Sequence, residues 1–417
     1  MRVVRAPLSA VYGVLGLSRA LLHAHAWYTL GIWGASLIFG RERPRAPATT
    51  PEEAPRIAVL VVAHDEAPVI EASVRSLSNQ RYPAERFEVF VVADNCSDDT
   101  ARRAEAAGAR VIVRHSGGAR GKPAAVAFGV AEVSARGAWD AIAVFDADNV
   151  ADADFLPAVA ARLRAGERVV QGFVDAKNPD ASWVSGFGAI GFWVIDGLVE
   201  RPRERLGLSA ALMGTGYAAE PELFATLLAP ENALADDLEA SARLALSRVR
   251  VAYEPQARTL DERPVAMNAS VQQRRRWMQG RWATAERWLP TLLAASLSPG
   301  QTVLDRLNTL DVAVRLLSPS LLFTAVTLGA SSSAELALRA ALGDGGGDSA
   351  RRGLRLAFVY FLSAVPAVAR HARGPGIWLL YALQPGFVLR SIPIAIYGFV
   401  RRRSSTWAHT KHGVEGA

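Results

Sequence analysis

Residues 143–150, Ala-Val-Phe-Asp-Ala-Asp-Asn-Val, run from a row of apolar positions straight into Asp146 and Asp148. Two carboxylates at the end of a core strand suit a positive partner, whereas an isolated Asp-x-Asp can equally open a helix. The same placement recurs along the chain. His64, Asp65 and Glu66 follow the apolar run 57–63, Asp94 opens Asp-Asn-Cys-Ser-Asp-Asp-Thr after 87–93, and Lys122 closes Gly-Gly-Ala-Arg-Gly-Lys after 109–114. Ser97, Asp98 and Asp99 alone would make a good helix start, but four clusters after successive strands are harder to assign to capping. Carboxylates accept hydrogen bonds from a nucleoside's ring N–H and ribose hydroxyls, or hold a hard divalent cation against a diphosphate, while a lysine offsets phosphate charge. The pattern reads as a nucleotide-diphosphate site with a single lysine among the acids. The Gly-rich stretch before Lys122 lacks the spacing of an ATPase phosphate loop, and Pro123 follows the lysine.

The elements that must position these residues are short β-branched runs at 57–63, 87–93, 109–114 and 141–145, with helix-like segments between them. Alternation of strand and helix over residues 57 to about 260 predicts a mostly parallel sheet covered on both faces, with its ligand beyond the carboxyl ends of the strands. Of the 417 residues, 50% are hydrophobic, enough for a sizeable core and for membrane segments. Residues 20–40 are long enough to cross about 30 Å of hydrocarbon, and Arg-Glu-Arg-Pro-Arg follows at once. Apolar stretches return at 316–334, 356–369 and 374–400. The net charge of +7 suits nucleic acid, anionic lipid or a phosphorylated substrate alike. Cys96 is the only cysteine, which excludes an intramolecular disulfide and is compatible with a reducing cytosol.

Downstream, Asp236 and Asp237 stand at the start of an amphipathic helix, and Gln-Gln-Arg-Arg-Arg-Trp spans 272–277. The order Asp94, Lys122, Asp146-Ala-Asp148, Ala235-Asp236-Asp237, Gln-x-x-Arg-Trp resembles the membrane-integrated family-2 glycosyltransferases, the group of the cellulose, hyaluronan and poly-N-acetylglucosamine synthases, over roughly residues 55–290. The resemblance implies a GT-A fold, Rossmann-like and α/β, flanked by N-terminal and C-terminal membrane helices. It implies that Asp94 contacts the uracil with Asp65 or Glu66 near the nucleoside, that Asp146 and Asp148 hold Mg²⁺ or Mn²⁺ on the diphosphate, and that Asp237 is the catalytic base. Gln273, Arg276 and Trp277 match the motif that closes over the diphosphate and lines the acceptor's path, with Asp236 beside the base and Gly214-Thr215-Gly216 flanking the acceptor. Ala235 and Asp236 replace the family's usual Thr and Glu, and His64 and Asp65 stand where Tyr and Asn are common.

The expected division is a membrane anchor over 1–45, a cytosolic catalytic domain over 55–264, interfacial amphipathic helices over 265–315, a transmembrane region over 316–400 and a basic tail over 401–417. Trp277 and Trp288 lie three helical turns apart, and Val303, Leu307, Leu310 and Val314 share one face, as in helices lying in the bilayer plane or packed on the catalytic core. Direct displacement at an anomeric carbon needs one base and a stabilised leaving diphosphate, so inversion to a β-linked product follows from an α-linked donor. The expected reaction takes a UDP-sugar, of the UDP-glucose or UDP-N-acetylglucosamine type, to a polysaccharide or oligosaccharide acceptor at the cytosolic face of the membrane. The family motif leans toward a polymer, whereas about four apolar segments are few for a polymer channel and lean toward an oligosaccharide or, as the alternative, a single-sugar transfer to a lipid. A nucleotidyltransferase and a non-catalytic sugar-nucleotide-binding subunit are the competing classes, and no nucleic-acid partner is expected. The tail, with Trp407, His409, Thr410, Lys411 and His412, is expected on the cytosolic side.

Overall fold

The computed structural model describes residues 2–42, 50–116, 121–228, 235–318, 320–343 and 345–403, with side chains from residue 16 onward. The tail residues from Trp407 to His412 and the stretch 117–120 before Lys122 lie outside them. Two compact units divide the chain: one comprises Met1–Arg41, Ile190–Leu206 and Ser318–Pro393, the other Glu42–Ala189, Gly207–Leu317 and Ile394–Ala417. The segment 190–206, which reads in the sequence as part of the catalytic domain, thus groups with the N-terminal helix and the apolar C-terminal helices.

Helix α1 (Arg2–Ile38) precedes an eight-stranded sheet. Its strands are β1 (Ile57–Ala63), β2 (Phe87–Asp94), β3 (Arg110–Arg114), β4 (Ala141–Asp146), β5 (Val150–Ala151), β6 (Val169–Ala176), β7 (Tyr217–Ala219) and β8 (Val251–Asp261), in the order β3-β2-β1-β4-β7-β6-β8-β5. β1 pairs parallel with β2 and β4, and β2 with β3; β6 pairs parallel with β8. The short β7 runs antiparallel between β4 and β6, and β5 runs antiparallel to β8. The four strands expected from sequence are therefore one half of a mostly parallel sheet.

β1, β4 and most of β2 are buried on both faces, which is why they read as unbroken apolar runs rather than as alternation, whereas Arg110 and Val113 of the edge strand β3 are exposed. Ile57, Val59 and Val61 pack with Ile70, Val74 and Leu77 of α2 (Ile70–Ser78) and Phe155 and Val159 of α5 (Phe155–Arg164), where Phe145 meets Phe155 edge to face at 4.8 Å. α3 (Thr100–Ala106) adds Ala104 to the same layer. On the opposite face α4 (Lys122–Arg136) brings Gly129 so close to Leu60 and Val92 that a Cβ there would lie 2.8 Å from each. Along the chain follow α6 (Trp183–Ile195), α7 (Arg201–Leu206), α8 (Phe224–Leu227), α9 (Asp236–Leu246), α10 (Met267–Ser296) and α11 (Val303–Leu317). Ala242 and Ala245 of α9, Ala285 and Leu292 of α10 and Val312, Ala313 and Leu316 of α11 form a second, smaller core. The other face of α11 stays bare, with Val303, Leu307 and Leu310 exposed.

The remaining helices are α12 (Leu321–Ala341), α13 (Asp348–Ser363), α14 (Val365–Ala369), α15 (Pro375–Leu389) and α16 (Ile392–Val400). Three helices of the described residues are long and apolar enough to cross a membrane: Trp183–Leu206, which carries a π-turn at Asp196–Glu200, Leu321–Ala341 and Asp348–Ala369. α15 and α16, bent by 42°, make a fourth if they form one span. Residues 183–206 are an addition to the spans expected from sequence. α1 is long enough for an anchor, but His23, His25, Trp27, Tyr28 and Thr29 dilute its apolar run and it is not among the three.

Candidate active site

Two non-glycine residues with positive φ mark the carboxyl ends of β1 and β2: Asp65 (φ 55°) and Asn95 (φ 51°). Asp and Asn tolerate this conformation because their short polar side chains bond locally. Asp65 accepts from the Ser97 N–H at 2.6 Å and from the Ser97 hydroxyl, and Asp98 accepts from the Ala67 and Thr100 N–H groups, so the two loops are tied together. Asp94 is buried and receives Arg114 Nη1 at 2.6 Å and Asn95 Nδ2 at 2.7 Å on the same oxygen. His64 Nδ1 lies 2.7 Å from the Asp94 carbonyl.

Lys122, the first residue of α4, reaches Asp146 Oδ1 at 2.5 Å and donates to the Gly214 carbonyl at 2.7 Å. The Gly214-Thr215-Gly216 turn is shaped by its glycines: Gly216 has φ +61°, and a Cβ there would fall 2.6 Å from Thr259 Oγ1. The turn delivers the Thr215 hydroxyl, which accepts from the Asp146 N–H at 3.1 Å and donates to Asn149. Gly214 lies between Lys122 and Asp237, since a Cβ on it would sit 3.7 Å from Lys122 Nζ and 3.9 Å from Asp237 Oδ2. Asp236 and Asp237 open α9, and Asp237 Oδ1 accepts from the Leu238 N–H. With Pro123, Val126, Leu212, Tyr217, Leu227 and Leu228 they line a small pocket whose walls are mostly aliphatic.

Desolvation and crowding of like charges govern this region. Burial, then the charge of Asp236, pushes Asp237 up to about 6, with Lys122 and Arg281 opposing. Burial, then Asp146, pushes Glu66 up to about 8. Burial, then Asp261 and Asp146, raises Asp148 well above the usual carboxylate range. Lys122 is held up by Asp146 and Asp236 against the opposing effect of burial. Buried Asn149 donates to both Asp148 Oδ1 (3.1 Å) and Asp261 Oδ1 (3.2 Å), and Asp261 in turn pairs with Arg263. Hard oxygen donors in mutual repulsion are the donor set that a divalent cation favours, so Asp146 and Asp148 fit such an ion chemically.

Asp146, Lys122 and Asp237 thus meet around the Gly214 turn, with Asp236 beside Asp237. Asp65, Glu66 and Asp94 share the β1 and β2 ends of the same sheet edge. Gln273, Arg276 and Trp277 occupy one face of α10; the α10 charge that bears on Asp237 is that of Arg281, one turn further on. The lysine expected to stand alone among the acids does not: Arg114 neutralises Asp94 and Arg263 neutralises Asp261. Arg114, Asn149, Asp261 and Arg263 escape a reading by motif, and Thr215, named only as flanking the acceptor, bonds the Asp146 N–H instead. Asp261 carries a signal of the same type as the others, an acid closing a strand, but the Pro255 inside β8 hides that strand from a pattern search.

The fold is GT-A-like. It is similar to the mannosyltransferase PcManGT from Pyrobaculum calidifontis, solved in complex with GDP-Man and Mn²⁺, at a TM-score of 0.55 and 16% identity over 92% of this chain and 98% of that one. The sequence model of "Glycosyltransferase like family 2" matches residues 55–280, and the chain belongs to that family. Relatives include a probable glycosyltransferase, YdaM, of Bacillus subtilis, 26% identical over 275 residues, or 64% of each chain. A beta-monoglucosyldiacylglycerol synthase of Synechocystis is 28% identical over 295 residues, 65% of this chain and 60% of that one. The matches span less than two thirds of these relatives' own length.

Proposed function

We propose that the chain transfers a hexose from a UDP-sugar, of the UDP-glucose or UDP-N-acetylglucosamine type, to the hydroxyl of a lipid acceptor at the cytosolic face of a membrane, with inversion to a β-linked product. The observation that carries the reaction is the meeting of Lys122, Asp146 and Asp237 around the Gly214 turn. Asp237 is the base: raised to about 6, it is ionised at neutral pH yet basic enough to take a proton from an alcohol as the oxygen attacks the anomeric carbon. Asp65, Glu66 and Asp94 face the nucleoside, with Arg114 fixing the Asp94 carboxylate. Gln273, Arg276 and Trp277 cover the diphosphate and the acceptor's path. Asp146 and Asp148 would hold Mg²⁺ or Mn²⁺, which supplies charge neutralisation for the departing diphosphate.

The choice of a lipid over a growing polysaccharide rests on two supports. Pro123, Val126, Leu212, Leu227 and Leu228 share a small pocket with Tyr217, Asp236 and Asp237, so aliphatic side chains stand next to the base. The Synechocystis relative is named for a glucosyl lipid. The basic segments beside the apolar helices favour a cytosolic catalytic unit with an anchor over 1–45, catalytic residues over 55–264, interfacial helices over 265–315 and spans over 316–400, to which 183–206 is added.

The test is incubation of the full chain in lipid nanodiscs with UDP-glucose or UDP-N-acetylglucosamine, offering diacylglycerol and, separately, oligosaccharide acceptors. Free UDP together with a β-glycosylated lipid is the expected result. A lengthened oligosaccharide and no glycolipid would move the acceptor to the carbohydrate class, and neither product with any nucleotide sugar would remove the reading.

A further inference from the structure

The helix that carries Gln273, Arg276 and Trp277 uses its opposite face for something else. At 100° per residue, positions 273, 276 and 277 cluster on one side of α10, whereas 275, 279, 282 and 286 form a stripe about half a turn away. Every member of that stripe touches the C-terminal end of the described chain, within the same compact unit. The Arg275 guanidinium lies over the Tyr397 ring at 4.8 Å, and Trp282 meets Phe399 edge to face at 5.4 Å. Between those two aromatics, Gly398 of α16 approaches α10 backbone to backbone: a Cβ on it would lie 2.7 Å from Met278 Cβ, 2.8 Å from the Met278 carbonyl carbon and 2.9 Å from the Gln279 nitrogen. Gln279, 6% exposed, donates to the Arg401 carbonyl at 2.9 Å and so satisfies a carbonyl just past the end of α16 that no helical N–H can reach. Arg402 and Arg403 both close on Glu286.

We propose that α16 and residues 401–403 form a brace that sets the position of the Gln273–Arg276–Trp277 face, with Tyr397, Gly398, Phe399 and Gln279 as positioning residues that touch no substrate. The exposed Glu286 pairs contribute little on their own; the backbone approach at Gly398 is what fixes the spacing, because any side chain there must push α10 away. The functional consequence rests on the reading that this face covers the donor diphosphate. Displacing the brace then weakens contacts to the diphosphate and leaves the nucleoside contacts near Asp65 and Asp94 alone.

The experiment compares Gly398→Leu with the unaltered full chain in nanodiscs by calorimetric binding of uridine and of UDP, by transfer rate, by thermal unfolding and by hydrogen exchange over residues 267–286. Expected are faster exchange in that segment, unchanged uridine binding, and UDP affinity and transfer both reduced on the order of 10-fold, the loss of one charge-assisted hydrogen bond. A folded Gly398→Leu protein with normal UDP affinity and normal exchange overturns the brace, as does an equal loss of uridine and UDP binding with lowered melting, which marks a merely structural contact. If Gly398→Leu does not fold, Gln279→Ala combined with Phe399→Ala removes contacts without adding bulk; the same pattern supports the proposal and normal UDP binding defeats it. Should the unaltered chain bind no UDP while exchange still rises in the variant, the brace stands and the diphosphate reading fails.

Discussion

Asp237 carries the sharpest expectations at the scale of single residues. Asp237→Asn keeps the size of the side chain and its acceptance of the Leu238 N–H, but it cannot take up a proton. Transfer should fall roughly 10²-fold or more, with UDP-sugar affinity and melting temperature close to those of the unaltered protein. If Asp237 merely caps α9, Asn serves equally well and the rate barely changes. The same group sets a pH dependence. A base must be ionised to act, so the rate should rise with pH through about 6 and level off above it. Asp236 on α9 holds that midpoint up, while Lys122 on α4 and Arg281 on α10 hold it down; Asp236→Asn should therefore move the acid limb to lower pH. At Asp146 and Asp148, excess chelator should abolish transfer and Mg²⁺ or Mn²⁺ restore it. Full activity in chelator would exclude a metal role for the pair.

Among the elements, the Gly214-Thr215-Gly216 turn does the joining: it holds the Lys122 ammonium through the Gly214 carbonyl and the Asp146 backbone through the Thr215 hydroxyl, with Asp237 close beside Gly214. Gly216→Ala would place a methyl against Thr259 in a left-handed backbone conformation, which costs about 1–2 kcal/mol. A lower melting temperature is expected together with a loss of transfer larger than the lost stability explains, since Thr215 moves with the turn. Equal melting for Gly216→Ala and the unaltered protein would mean that the turn has room to relax. α9, α10 and α11 act as a second element, because their shared core of Ala242, Ala285, Leu292 and Val312 fixes the helix bearing Asp237 to the helix bearing Arg281.

For the molecule as a whole, three or four helices of the described residues are long and apolar enough to cross a membrane, and Val303, Leu307 and Leu310 of α11 are exposed. If Val303, Leu307 and Leu310 rest on the bilayer, Leu307→Glu with Leu310→Glu should slow transfer to a long-chain lipid embedded in a bilayer. Transfer to a short-chain acceptor in detergent should be unaffected, because no surface has to be engaged. Equal slowing with both acceptors would show instead that the face supports folding.

The strand-end acids Asp65, Asp94, Asp146 and Asp148, the α/β class and the apolar stretches were legible in the chain itself, because each depends on local pattern: unbroken apolar runs for doubly covered parallel strands, and polar residues at their ends. The order Asp94, Lys122, Asp-x-Asp, Asp237, Gln-x-x-Arg-Trp was equally legible as a family pattern. What only the folded chain decided is which charges meet. Arg114 on Asp94, Asn149 on Asp261, and the Gly214 carbonyl on Lys122 are pairings across 20 to 112 positions of sequence, and no local periodicity encodes them. The other four strands escaped: β5 and β7 are two and three residues long, β6 carries Gln171 and Gly172 inside its apolar run, and β8 is interrupted by Pro255. Residues 183–206 escaped as a candidate span because buried Asp196, Glu200, Arg203 and Glu204 break their hydropathy, whereas their helical continuity and their partners are properties of the tertiary structure.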